Sequence, residues 1–173
     1  MAPPRTPVPP PPTRFGGQNI QRAPAAGSGY NLVLGAYLHG NTGGKALPPA
    51  LAGHSFVAIE QPGGKRQAFG FSPAEYGRYD PSRDLGRLSA GVRGKVHDDA
   101  AAFSKPGVRT RSIPISAEQA RAALAKVAEY RNPTAAFSAT RRQCTSFAGD
   151  VAKAAGVAPS GLPALPRAFY NKL

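Results

Sequence analysis

Residues 53–73 read GHSFVAIEQPGGKRQAFGFSP. Two runs, HSFVAIE and KRQAFGF, flank Gln61-Pro62-Gly63-Gly64, a turn sequence between strand-forming segments, so the stretch predicts a β-hairpin. A hairpin here commits the chain to an antiparallel sheet. A turn centred on Pro62-Gly63 sets His54 opposite Phe71, so Phe71 is expected to cover the histidine, with Ser72 the nearest polar side chain. Upstream, YNLVLGAYL at 30–38 reads as a first strand with Gly35 as a bulge. Residues 39–53 are a loop rich in Gly and Pro, and 74–108 a long polar stretch around GKVHDDAAAF. TRSIPIS at 110–116 gives a further strand, whose Pro114 marks it as an edge.

Two helices follow. Ser116-x-x-Gln119 is a capping-box pattern, and Ala120, Leu124, Val127 and Tyr130 form the buried stripe of the helix it opens. Residues 140–156, TRRQCTSFAGDVAKAAG, carry Phe147, Ala148, Val151 and Ala155 at the spacing of one helix face, with Gly156 as the stop. The tail SGLPALPRAFYNKL is too rich in proline for a long helix and is expected to wrap the surface with a short turn near 167–170. The expected architecture is α+β: a small antiparallel sheet from residues 30–38, 54–60, 65–71 and 110–115, with helices 117–131 and 144–155 packed on one side.

At 173 residues the chain suits one folded domain, assigned to 30–173. Eight of the nineteen prolines lie within residues 1–24, so 1–29 reads as an extended polyproline II arm suited to tethering or docking. The opening MAPPRTPVPPPPTRF lacks the apolar core of a secretory signal, and no segment is apolar for long enough to span a bilayer. With 22 Lys and Arg against 9 Asp and Glu, the net charge of +13 suits an anionic partner: nucleic acid, a membrane surface or an envelope polymer. The basic residues are scattered, and there is no basic helix, aromatic-basic interleaving or zinc module of a nucleic-acid reader. One cysteine excludes an internal disulfide framework and a Cys-rich zinc site.

That cysteine, Cys144, begins a helix, where unpaired N–H groups and the positive end of the dipole favour a thiolate. It also shares a stripe with Phe147 and Val151, so its chemistry depends on a base from elsewhere in the chain. Three histidines are available. His39 precedes a Gly-rich stretch that fixes no geometry, and His97, in KVHDD, has two acidic neighbours but falls short of a metal-ligand set, so neither a metal nor a cofactor is expected. His54 stands at the mouth of the hairpin and is the expected base. For a third member, Glu60 is excluded, because six strand residues put it about 20 Å from His54. Ser72 and Asp98 are the candidates, beside a plain dyad with a backbone or water partner.

The order Gly53-His54-Ser55-Phe56-Val57, Phe69-Gly70-Phe71-Ser72-Pro73, Gly94-x-Val96-x-Asp98-Asp99, Ile113-Pro114-Ile115 and Cys144-Thr145-x-Phe147-Ala148 resembles the circularly permuted papain-fold hydrolases of the NlpC type, especially antibacterial effectors of the type VI secretion kind. The resemblance spans roughly residues 30–170, and in these proteins the histidine strand precedes the cysteine helix. It implies a cysteine amidase or endopeptidase acting on peptidoglycan stem peptides, with Cys144 as nucleophile and His54 as base. It further implies a secreted toxin without a classical signal peptide, active in the periplasm or wall of a target cell. A cognate immunity protein and a secretion-machinery carrier that engages the proline-rich arm would be its partners. The family has Asn before the cysteine; Gln143 keeps the amide on a longer side chain, as a candidate oxyanion or substrate contact. Lecithin:retinol acyltransferase-like enzymes share the permuted order, so an acyltransferase or lipid hydrolase is the first alternative, although residues 65–73 lack those enzymes' second histidine. A basic nucleic-acid-binding protein without catalysis is the second.

Overall fold

The computed structural model describes residues 29–39, 50–80 and 83–173. The expected proline-rich arm, apart from Gly29, lies outside these residues. Among the described residues six strands form one sheet: β1 (Tyr30–Tyr37), β2 (His54–Glu60), β3 (Arg66–Pro73), β4 (Val92–Asp98), β5 (Arg109–Ile115) and β6 (Ala136–Phe137). Their spatial order is β5-β1-β2-β3-β4-β6, with every neighbouring pair antiparallel. The described residues also form four α-helices: α1 (Leu85–Ala90), α2 (Ala117–Tyr130), α3 (Cys144–Ala154) and α4 (Pro166–Lys172). The chain is therefore α+β with an antiparallel sheet, as expected.

Strand β4 falls inside the stretch read as a polar connection. Its sequence, VRGKVHD, buries only Gly94 and Val96, so the alternation that marks a half-buried strand is carried by one glycine and one valine among charged residues. The polar average hid the period. The hairpin register also differs from the expectation. Gln61 N–H donates to the Lys65 carbonyl at 2.8 Å, closing a three-residue loop in which Gly63 and Gly64 have φ of 86° and 85°. Phe56 consequently pairs with Gly70 and Val57 with Phe69. A one-residue slip exchanges the faces of a strand, so Phe71 joins the core instead of covering His54, and Gly70 takes the place beside the histidine.

The main core lies between one face of the sheet and α2, α3 and α4. Leu34, Val57, Ile59 and Phe71 meet Val127, Phe147, Val151 and Phe169, all nearly or fully inaccessible to solvent. Phe147 stands 5.0 Å from the Tyr130 ring and 6.0 Å from that of Phe71, so it links α3 to both α2 and the sheet. Helix α2 starts as its sequence dictates: Gln119 N–H donates to Ser116 Oγ at 3.1 Å, and Ser116 N–H donates to Gln119 Oε1 at 2.8 Å. Its stripe uses Ala120, Ala123, Val127 and Tyr130, with Leu124 half-buried at the rim. Helix α3 stops at Gly156, whose φ of 69° allows Gly156 and Val157 N–H to bond the Lys153 and Ala152 carbonyls. In the tail, Pro166 stands at a helix start, where its missing N–H costs nothing, and α4 runs to Lys172.

The other face of the sheet is covered more thinly. Val33, Ala58 and Ala68 pack under Phe103, from the 3₁₀ turn Ala100–Ser104, and the Phe103 ring meets Phe56 edge-on at 4.9 Å. Strand β5 is an edge, and its exposed Arg109 and Arg111 discourage pairing with another chain. No helix among the described residues is long and apolar enough to cross a membrane. Phe147→Ala should leave a cavity at the junction of α2, α3 and the sheet and destabilise the fold by about 3–5 kcal/mol; urea unfolding followed by circular dichroism measures this.

Candidate active site

Cys144 is the first residue of α3 and is 6% exposed. Phe147, Ala148 and Val151 fix the helix in the core, so the sulfur is held by a packed element and not by a loop. At the helix start, Gln143 N–H donates to Ser146 Oγ at 2.8 Å, and the Ser146 hydroxyl donates to the Gln143 carbonyl at 2.9 Å. The thiol faces the beginning of β2, where the His54 imidazole and the Ser55 backbone N–H favour its ionised form. Two residues distant in sequence thus line one site.

The carboxylate that reaches His54 is Asp99, neither of the nominated candidates. His54 Nε2 stands 2.6 Å from Asp99 Oδ2, with the two side chains only 12% and 11% exposed. Nδ1 is the nitrogen left for the sulfur. Asp99 directly follows β4 and is held by its N–H donating to the Ala68 carbonyl at 3.2 Å and its carbonyl accepting from Ala102 N–H at 2.9 Å. Asp98 points elsewhere: it is exposed, and its Oδ1 accepts from Ala100 N–H at 2.9 Å. Ser72 lines the site, but its hydroxyl donates to the Pro73 carbonyl at 3.4 Å. Glu60, at the far end of β2, pairs with Arg66 at 2.7 Å.

Gly70 makes this arrangement possible. A Cβ at that position would stand 2.4 Å from Asp99 Oδ2 and 2.5 Å from His97 Cε1, both impossible contacts. His97 pairs across from Gly70 on β4, and its ring stacks on His54 with centroids 5.8 Å apart. The signal for Asp99 was present in the sequence: once 92–98 is a strand, residues 97 and 99 share a parity and 98 has the opposite one. His39 belongs to the site as well, edge-on to Tyr37 at 5.4 Å.

Burial is the largest influence on the Cys144 thiol and opposes ionisation, but the hydrogen bond and charge of His54, the Ser55 N–H and the Thr145 side chain outweigh it, and its pKa is lowered. Burial likewise works against the charged form of His54, yet Asp99 and Cys144 raise its pKa to about 10. Each group therefore favours the charged form of the other, the thiolate of Cys144 and the imidazolium of His54. Tyr37 is pushed up to about 12 by burial and by the neighbouring Asp99, so it stays a neutral phenol.

The pair opens onto a cavity of about 370 Å³, into which all three histidines and Asp99 also face. Most of its wall is apolar, including Leu51, Tyr76, Leu85, Leu88, Phe137 and Pro166. Gln143 also lines it, but its side-chain nitrogen donates to the Ala164 carbonyl at 2.8 Å, tethering the segment before α4. That bond engages one of the two amide hydrogens and leaves the second. The arrangement supplies a nucleophile, an acid–base group, an orienting carboxylate and the unpaired N–H groups of a helix start. The chain matches no protein-family model, no curated protein and no solved structure at a significant level.

If Asp99 and the space over Gly70 hold His54 in its charged form, both Asp99→Asn and Gly70→Ala should slow alkylation of Cys144 by iodoacetamide at pH 7. The rate should fall because less of the thiol is then ionised; rates equal to wild type in both would contradict the assignment.

Proposed function

We propose that this chain is a cysteine hydrolase on a permuted papain-like fold of the NlpC type, cleaving amide bonds in peptidoglycan stem peptides as an antibacterial effector. One observation carries the reading: Cys144, His54 and Asp99 meet at the wall of one cavity, with the imidazole bonded to the carboxylate and the thiol electrostatically coupled to the imidazole. The supporting frame is a cysteine-headed helix packed on an antiparallel sheet whose second strand begins with the histidine, in the chain order of the permuted proteins. The +13 charge suits an anionic wall. Action in the periplasm or wall of a target cell, an immunity partner and a carrier bound through the proline-rich arm belong to the same proposal.

The reaction follows from the groups present. The Cys144 thiolate attacks the amide carbonyl, and the developing oxyanion is met by the N–H groups at the start of α3. His54 gives its Nδ1 proton to the leaving amine as the C–N bond breaks, leaving a thioester on Cys144. The neutral imidazole then takes a proton from water, whose oxygen displaces the sulfur and restores the ion pair. Asp99 holds the ring in position from Nε2 throughout.

A second reading draws on the cavity wall. An apolar chamber beside the nucleophile suits a hydrocarbon chain better than a polar stem peptide, which favours a lipid hydrolase or acyltransferase using the same thioester. Incubation with purified peptidoglycan and, separately, with phospholipid vesicles distinguishes the two by mass analysis of the products. Cys144→Ala and His54→Ala should each cut the rate at least about a thousandfold while the circular dichroism spectrum is kept. Undiminished cleavage in both variants would eliminate every form of the proposal.

A further inference from the structure

The groups around Gly70 can do something that amide hydrolysis does not require. His54, His97 and Asp99 each offer a ligand atom, and the three atoms lie within 4.8 Å of one another. They face a common gap. The point where a Cβ of Gly70 would stand is 2.4 Å from Asp99 Oδ2 and 2.8 Å from His97 Nε2, and His54 Nε2 is 2.6 Å from the same carboxylate oxygen. His97 Nδ1 stands 3.2 Å from the Asp98 carbonyl, a bond that places the ring proton on Nδ1 and turns the Nε2 lone pair toward the gap. That is the outer-shell partner a ligating histidine ordinarily has.

We infer that His54, His97 and Asp99 form a three-ligand site for Zn²⁺, with a fourth position open to the cavity. Two imidazoles and one carboxylate are a donor set that Zn²⁺ accepts at about 2.0–2.2 Å per bond, which puts neighbouring donors of a tetrahedral ion roughly 3.3 Å apart. Binding therefore requires His54 and Asp99 to separate slightly and His97 to move inward. The ion displaces the proton shared between His54 Nε2 and Asp99.

A consequence follows that rests on the hydrolase reading. With Nε2 bonded to the metal and Asp99 turned to the ion, His54 has lost its orienting partner and its second titratable nitrogen, so Zn²⁺ holds the enzyme off reversibly. The site itself is independent of that consequence.

The test is calorimetric titration of the chelator-stripped full chain with ZnCl₂, repeated with Co²⁺ and read from its visible absorption. Wild type should bind one equivalent, His97→Gln and Asp99→Asn should each weaken binding at least tenfold, and Cys144→Ala should bind as wild type does. A wild-type chain that binds no Zn²⁺, or His97→Gln and Asp99→Asn variants within twofold of its affinity, would overturn the site. Because the titration reads metal and not turnover, a chain that binds Zn²⁺ but cleaves no substrate would refute the hydrolase reading alone.

Discussion

The thiol at the head of α3 and the imidazole at the start of β2 each favour the other's charged form, against burial, which disfavours both charges. The pair survives because it is not isolated: Asp99 takes the far nitrogen of the ring, and the Ser55 N–H supports the sulfur. Removing any partner from such a cluster leaves a largely buried charge without compensation. The rest of the fold supplies the geometry. Packing of Phe147 and Val151 fixes the sulfur, pairing of β1 with β2 fixes the imidazole, and the end of β4 brings the carboxylate.

Small residues do as much as charged ones here. Gly70 is the space in which Asp99 and His97 approach the histidine, and Gly35 lies under the Phe56 ring, where a Cβ would come within 2.1 Å of Cζ. The consequence is a sheet whose β3 carries phenylalanines toward the helices at positions 69 and 71 and nothing at all at position 70, where the polar cluster needs the room. The alternation of one strand thus separates an oily core from a charged site.

Much of this was legible because it follows from local periods. The cysteine helix, its glycine stop, the capping box at Ser116 and the four strands with apolar alternation are encoded within a few residues each, and the structure has them at those positions. The Cys144–His54 pairing followed from chain order and the scarcity of histidines. What was not legible depends on a single residue of register. Reading the loop as two residues instead of three exchanged Phe71 for Gly70, and reading 92–98 as a connection hid the parity that joins His97 to Asp99 and excludes Asp98. His39 was set aside because its sequence neighbours are glycines, although the cavity wall that receives it is built by other segments.

The ion pair is tested most directly by the ultraviolet absorbance of the thiolate as pH is varied, in wild type and in His54→Gln, since Cys144 is the only thiol. A lowered thiol pKa and a histidine raised to about 10 predict that thiolate absorbance in wild type appears below the ordinary thiol range. In His54→Gln, that absorbance should move to higher pH, because burial is then opposed only by the Ser55 N–H and the Thr145 side chain. A wild-type thiol that ionises only at or above the ordinary value, unchanged by the substitution, would contradict the account.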